Sequence, residues 1–264
     1  MTALELRDAG VTYPTPVGDV VHALSEVNLR ISPGEFVSVI GSNGAGKSTL
    51  VNVIAGSVRL TGGQVSLNGA SLDRVAEHRR ARRIARVYQD TSSSVCPELT
   101  IHENFVLALT RRRRRSPFRL VGAAKRTREA AEILDGYGIG LGARLHQPTG
   151  LLSGGQRQLI GLVMAVVAEP EVLLLDEHTS ALDPTMAEQV MLATDEVVRE
   201  RRLTTLMITH NLAHAARFGD RLLVMAGGRI ADEIAEGEPE RRDEAALIVR
   251  FRAAAGAVLD RMLG

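Results

Sequence analysis

Nine residues, GSNGAGKST at Gly41–Thr49, constrain this chain more than any other stretch. They satisfy the spacing G-x-x-x-x-G-K-[S/T]. The flanks suit it. FVSVI, residues 36–40, is a short β-branched run bounded by glycine and reads as a buried parallel strand. KSTLVNVIAG follows with helical periodicity and stops at Gly56. Glycines allow the backbone to curl and turn N–H groups inward, and the helix start adds partial positive charge. The expected ligand is a nucleoside triphosphate, held by Gly41, Ser42, Asn43, Gly44, Ala45, Gly46, Lys47, Ser48 and Thr49. Lys47 is expected to reach the β- and γ-phosphates, and Ser48 to offer its hydroxyl to Mg²⁺. The loop alone does not choose between a kinase, a GTPase and a transport motor.

A second segment narrows the choice. EVLLLDEHTSALDP spans Glu171–Pro184. Its apolar run reads as a buried strand over Val172–Leu175, with Asp176 at the carboxyl end, where ligands sit in open α/β sheets. Asp176 is expected to hold Mg²⁺, and Glu177 to polarise an attacking water. Two adjacent acids at a strand end repel each other unless a cation lies between or beside them.

A third segment, LSGGQRQ at Leu152–Gln158, begins a helix expected to run to about Ala168. Ser153 has the character of an N-cap, and Gly154 and Gly155 expose backbone N–H groups behind it. This is a second phosphate-binding helix start. One triphosphate is already served by the loop at Gly41–Thr49, so the second start is expected to serve the nucleotide of another copy.

Strands and helices alternate on both sides of these motifs, which implies a largely parallel sheet covered on both faces. LELRDAGVTY and ALSEVNLRIS read as N-terminal strands, TTLMITH as a strand ending at His210, and Arg221–Ile230 as a strand or hairpin. Between about Thr91 and Leu152 the strand signals fade, and IHENFVLALTRR and KRTREAAEILDGYG read as helices. The expected division is a nucleotide-binding α/β core over 1–90 and 169–238, a helical subdomain over 91–168, and a C-terminal helix over 239–264.

Composition supplies limits. The 264 residues suffice for one large α/β domain with a subdomain. Net charge is +1, so no overall field favours nucleic acid, and none is expected as a partner. Cys96 is the only cysteine, which excludes an intrachain disulfide. MTALELRDAG lacks an apolar core stretch, so no signal peptide is expected. No apolar run approaches the ~20 residues of a spanning helix, so a membrane role requires a partner. Lysine occurs only at Lys47 and Lys125 in a chain that otherwise uses arginine, including the run Arg111–Arg115, read as a solvated loop.

Taken together, the chain resembles the ATPase subunits of ABC transporters over nearly its whole length. GSNGAGKST resembles their Walker A loop, VLLLDE their Walker B strand with catalytic Glu177, and LSGGQ their signature. The resemblance implies a P-loop NTPase core with a mostly parallel sheet, an antiparallel β N-terminal part and an inserted α-helical subdomain. It implies catalytic roles for Glu177, His210 and Lys47, with His210 as the switch histidine near the γ-phosphate. Tyr13 would stack on adenine, and Gln89 would approach ATP and Mg²⁺ and couple to a permease. Metal ligands would be Ser48, Gln89 and Asp176. Ser153, Gly154, Gly155, Gln156 and, from SALD, Asp183 would meet the ATP of a second subunit. Implied partners are that second subunit, making a homodimer, transmembrane permease subunits and an extracytoplasmic solute-binding protein. The implied location is the cytoplasmic face of the cell membrane. His178 departs from the proline common after the catalytic glutamate, and with YQD and DEHTSALDP it resembles a branch associated with tryptophan- and tyrosine-type uptake. A soluble, non-transport ABC ATPase is the alternative.

Overall fold

Strand β1 (Leu4–Pro14) and β2 (Val20–Ile31) pair antiparallel and alternate buried and exposed residues, because one face of their sheet packs on the core and the other faces water. β2 begins earlier than ALSEVNLRIS suggested, since Val20 and Val21 pair with Pro14 and Tyr13. In this computed structural model the described residues are 2–15, 18–90, 94–110, 128, 131–132, 134–136, 140–235 and 237–263.

β3 (Phe36–Gly41) is buried along its length up to Gly41 and feeds α1 (Lys47–Ala55). α1 ends at Gly56, whose φ of 94° is left-handed, and Arg80 donates to the carbonyls of Val53 at 2.7 Å and Ile54 at 3.1 Å. The orphan carbonyls of that helix end are thereby satisfied. β4 (Gly62–Leu67) joins β1, and β5 (Ala70–Ser71) joins β4. This gives a four-stranded antiparallel sheet in the order β2-β1-β4-β5. β5 and the short helix α2 (Glu77–Arg80) were not legible as elements, being too short to show a period.

β6 (Ile84–Val87), β7 (Val172–Asp176), β8 (Thr204–Ile208) and β9 (Arg221–Ala226) build the second sheet around β3, and β10 (Arg229–Ala235) closes its edge. The order is β10-β9-β3-β8-β7-β6, parallel except for the β9–β10 hairpin. Val172, Leu173, Leu174 and Leu175 are fully buried, and each contributes about 1.5–3 kcal/mol by leaving water. Helix α3 (Ile101–Thr110) packs on α4 (Gly154–Val167), and α4 packs on α5 (Pro184–Arg201) and β6. α6 (Leu212–Arg217) lies on β3, and α7 (Glu244–Leu263) lies on α6, β9 and β10. Buried Arg241 pins the approach to α7 by donating to the carbonyls of Ala215, Phe218 and Gly219.

The α/β class, the mostly parallel sheet and the antiparallel N-terminal sheet agree with the sequence. The strand TTLMITH is shorter than expected: β8 stops at Ile208, and His210 lies in the turn before α6. Asp176 falls inside β7 rather than after it, because it still pairs with Ile208. Arg111–Arg115 and most of KRTREAAEILDGYG lie outside the described residues.

Candidate functional site

The parallel strands bring their carboxyl ends to one edge of the sheet. Gly41 ends β3, Asp176 ends β7, His210 follows β8 and Gln89 follows β6. Four separate sequence motifs therefore meet at the place where such sheets bind ligands.

The loop between β3 and α1 is wound by two left-handed glycines, Gly44 at φ 79° and Gly46 at φ 98°. At Gly46 a Cβ would stand 2.5 Å from the Ala23 carbonyl oxygen, and at Gly41 2.5 Å from that of Met225. Both positions require glycine for backbone approach, and Gly46 requires it for conformation as well. Lys47 is buried, and its ammonium donates to the carbonyls of Gly41 at 2.8 Å and Ser42 at 3.0 Å. Burial holds that ammonium below the usual lysine range, while the carboxylates of Glu177 and Asp176 pull the other way. Ser42, Asn43, Gly44 and Ser48 are exposed around it, Thr49 is half-buried and Ala45 is buried.

Glu177 occupies the left-handed region at φ 48°, with its N–H bonded to the Ile208 carbonyl at 3.0 Å. Such a conformation is strained for a residue with a Cβ and clusters at functional sites. It places a Glu177 carboxylate oxygen 3.4 Å from Nδ1 of His210. The two line a cavity of about 230 Å³ with Ser180, Thr209, Asn211 and His214. His178, next in the chain, turns inward instead. It is fully buried with Nε2 3.2 Å from the Thr194 hydroxyl. Burial, with the His214 charge adding, pushes its imidazole down to about 3, so it is neutral and acts in packing.

Asp176 is already partnered. Arg86 Nη2 donates to Asp176 Oδ2 at 2.5 Å, and both side chains are nearly buried. Nothing in the sequence singled out Arg86, because arginine is commonplace in this chain. The donor set expected for Mg²⁺ comprises the Asp176 carboxylate, the Ser48 hydroxyl and the Gln89 amide oxygen. All are hard oxygen donors, and among the described residues no cluster of three or more His, Cys, Asp or Glu offers a competing metal cage. That suits Mg²⁺, which is usually held by one or two carboxylates and by substrate phosphates.

Tyr13 is 43% exposed on β1, directly opposite Val21, which is 52% exposed. The pair makes an apolar step, and no motif marks its second member. At the second helix start, Ser153 accepts from the Gln156 N–H at 3.3 Å, and the Gln156 side chain accepts from the Ser153 N–H at 3.2 Å. This capping box opens α4. Gly155 packs tightly on Met186, whose side chain would have to move aside for a Cβ built 2.3 Å from its Cε. At Gly154 a Cβ would meet only Leu182, at an ordinary 3.7 Å. Asp183 caps its own helix, accepting from the Met186 N–H at 3.0 Å. Gln158, which sequence reasoning passed over, is buried and donates to the Tyr88 carbonyl at 3.0 Å.

A sheet that delivers a buried lysine and two acids to one edge, beside a glycine-wound helix start, is the architecture of P-loop ATPases. The chain is an ATPase of that class. The family described as ABC transporter matches residues 24–180. A tyrosine transport ATP-binding protein of Clostridioides difficile (strain R20291) is 38% identical over 94% of this chain and 98% of its own length. The thiamine import ATP-binding protein ThiQ of Salmonella choleraesuis (strain SC-B67) is 34% identical over 82% of this chain and 89% of its own. A solved ATP-binding cassette, dimeric and bound to ADP and Pi in a post-hydrolysis state, superposes with a TM-score of 0.74 at 28% identity, over 89% of this chain and 99% of its own. The chain belongs to the ABC transporter family, as an ATP-binding subunit.

Proposed function

We propose that the chain is the motor of an importer, pairing head to tail with a second copy so that two ATP molecules lie between them. The observation that carries this reading is the second glycine-opened helix start, Ser153–Gln156. It stands on α4, which packs on α3, α5 and β6, whereas α1 packs on β2, β3, β6 and β7. Each ATP would meet Gly41–Thr49 of one copy and Ser153, Gly154, Gly155 and Gln156 of the other, with Asp183 at the joint. The dimeric relative with bound ADP and Pi supports the pairing.

Within one copy, Tyr13 would receive the adenine, and Lys47 would leave its two loop carbonyls to take up phosphate charge. Ser48, Gln89 and Asp176 would hold Mg²⁺, which supplies charge neutralisation at the phosphates when bound. Glu177 would accept the proton of the attacking water, with its carboxylate aimed by the left-handed backbone. His210, 3.4 Å away, would steady that carboxylate and the γ-phosphate. Positioning and charge stabilisation are what phosphoryl transfer requires.

Residues 1–90 and 169–238 would act as the nucleotide-binding body and 91–168 as the part that swings on closure, with the helix over 239–264 riding on the body. Among the described residues no helix is long and apolar enough to cross a membrane. A permease would supply the crossing and place this subunit at the cytoplasmic membrane face. A cavity of about 540 Å³ lined by Glu77, Arg86, Tyr88, Ser94, Gly161 and Met164 joins the two parts beside Gln89 and is the docking place we assign to it. The relative named for tyrosine transport supports an aromatic amino acid or a related small solute as cargo, delivered by a solute-binding protein.

Glu177→Gln tests the motor. It is expected to keep ATP affinity, to lower turnover at least ~100-fold, and to trap an ATP-dependent dimer on size-exclusion chromatography. Undiminished hydrolysis in that variant overturns the role of Glu177, and a monomer that hydrolyses as fast as the paired form overturns the shared site.

A further inference from the structure

Asp176 and Glu177 are consecutive acids at a strand end, and such a pair needs a cation. The protein supplies one from its own chain. Arg86 leaves β6, donates to Asp176 Oδ2 at 2.5 Å through Nη2, and donates to Asn52 Oδ1 at 2.8 Å through Nη1. Its guanidinium carbon sits 4.6 Å from the centroid of the Tyr88 ring. The side chains of Arg86 and Asp176 are only 13% and 15% exposed, so water screens the pair poorly. Yet Arg86 is incompletely satisfied: its Nε is buried with no hydrogen-bond partner among the described residues. A buried, permanently charged group held this tightly by one carboxylate competes directly with any other cation that carboxylate is to bind.

We infer that Arg86 is a positioning residue that stands in for the divalent cation at Asp176 and is exchanged against it when metal–nucleotide arrives. This rests on the proposed assignment of Asp176 to Mg²⁺. The pairing neutralises Asp176 and holds it in place while no metal is present, beside the Lys47 ammonium that both acids already feel. The cavity beside it gives the displaced guanidinium somewhere to go, with the Glu77 carboxylate among its lining groups. Two consequences have opposite signs. With metal present, Arg86 opposes binding, because the ion pair must be broken. Without metal, Arg86 favours ATP, because it offsets the acids facing the triphosphate.

The experiment is ATP binding by equilibrium dialysis to the full-length chain, once in Mg²⁺ and once in EDTA. Arg86→Gln is expected to tighten binding in Mg²⁺, weaken it in EDTA, and raise the ratio of the two affinities about tenfold over the parent. Arg86→Lys, which keeps the charge, is expected to stay within about threefold of the parent ratio. A simple loss of packing would move both affinities together and leave the ratio alone, and a ratio unchanged in Arg86→Gln overturns the inference. Asp176→Asn, measured alongside, separates the levels. If it keeps the parent ratio, the assignment of Asp176 to the metal fails and Arg86 falls with it. If it collapses the ratio while Arg86→Gln leaves it unchanged, only the role of Arg86 is overturned.

Discussion

Gln158 Nε2 donates to the carbonyl of Tyr88 at 3.0 Å, and this single hydrogen bond ties the helix behind Ser153 to the segment that leads from β6 to Gln89. Gln158 is fully buried and its other amide atom, Oε1, has no hydrogen-bond partner among the described residues. The amide is thus held by one bond, in a place where an unsatisfied polar atom is costly.

We predict that Gln158→Leu will be tolerated in stability, within about 1–2 kcal/mol, because it removes one buried bond and one orphan oxygen together. It is expected to uncouple nucleotide-dependent pairing from the position of Gln89. The measurement is stimulation of hydrolysis by permease-containing vesicles set against basal hydrolysis by the subunit. Equal loss of both rates would mean that Gln158 serves only general packing.

Lys47 predicts an asymmetry between lysine and arginine. The chain uses arginine at most basic positions, yet Lys47 alone fills the buried slot between the carbonyls of Gly41 and Ser42. Lys47→Arg preserves charge but brings a planar fork to a site shaped for a point charge. ATP affinity should fall at least ~10-fold, the same direction expected for Lys47→Ala. Isothermal titration decides it, and an arginine variant that binds like the parent would count against the slot.

Ser153 separates helix capping from nucleotide contact. Ser153→Ala removes one half of the capping box and should cost about 1 kcal/mol in thermal or urea unfolding. Ser153→Arg should leave single-chain nucleotide affinity intact while blocking ATP-dependent dimers on size-exclusion chromatography. Dimers that persist in the arginine variant would show that this helix start lies outside the joint.

His214 gives a pH dependence. Burial lowers its pKa from the ordinary histidine value, the charges of Arg217 and His210 add to this, and the Glu188 carboxylate 3.7 Å from Nε2 opposes them. The unfolded chain therefore binds a proton at His214 before the folded protein does. The contribution is fully present above about pH 6.5 and is lost as pH falls from there through the folded-state pKa. His214→Gln should flatten the acid limb of the stability curve by up to ~1.4 kcal/mol per pH unit. Urea unfolding between pH 7 and 5 reads the slope, and an unaltered slope would sink the assignment.

Much of the site was legible because its parts obey local rules. Glycine spacing announced the loop at Gly41–Thr49, a serine ahead of two glycines announced the N-cap at Ser153, and an apolar run ending in two acids announced β7. The parts that were not legible depend on contacts distant in sequence. Arg86 reaches Asp176 across 90 positions, and an arginine does not stand out where arginine is the usual cation. Gln158 bonds a residue 70 positions away. TTLMIT is apolar and β-branched and so reads as a strand running on to His210, whereas β8 ends where its pairing with β7 runs out at Asp176. His178 drew attention as a departure from proline, and its fully buried ring facing Thr194 gives it a packing role beside the site.

The left-handed backbone of Glu177 has an evolutionary price tag of its own. At φ 48° this position suits glycine better than any side chain. Glu177→Gly should therefore raise thermal stability by on the order of 1 kcal/mol while abolishing turnover. A laboratory screen for heat resistance alone would enrich a dead motor. The acid at 177 thus occupies a position that stability alone would give to glycine.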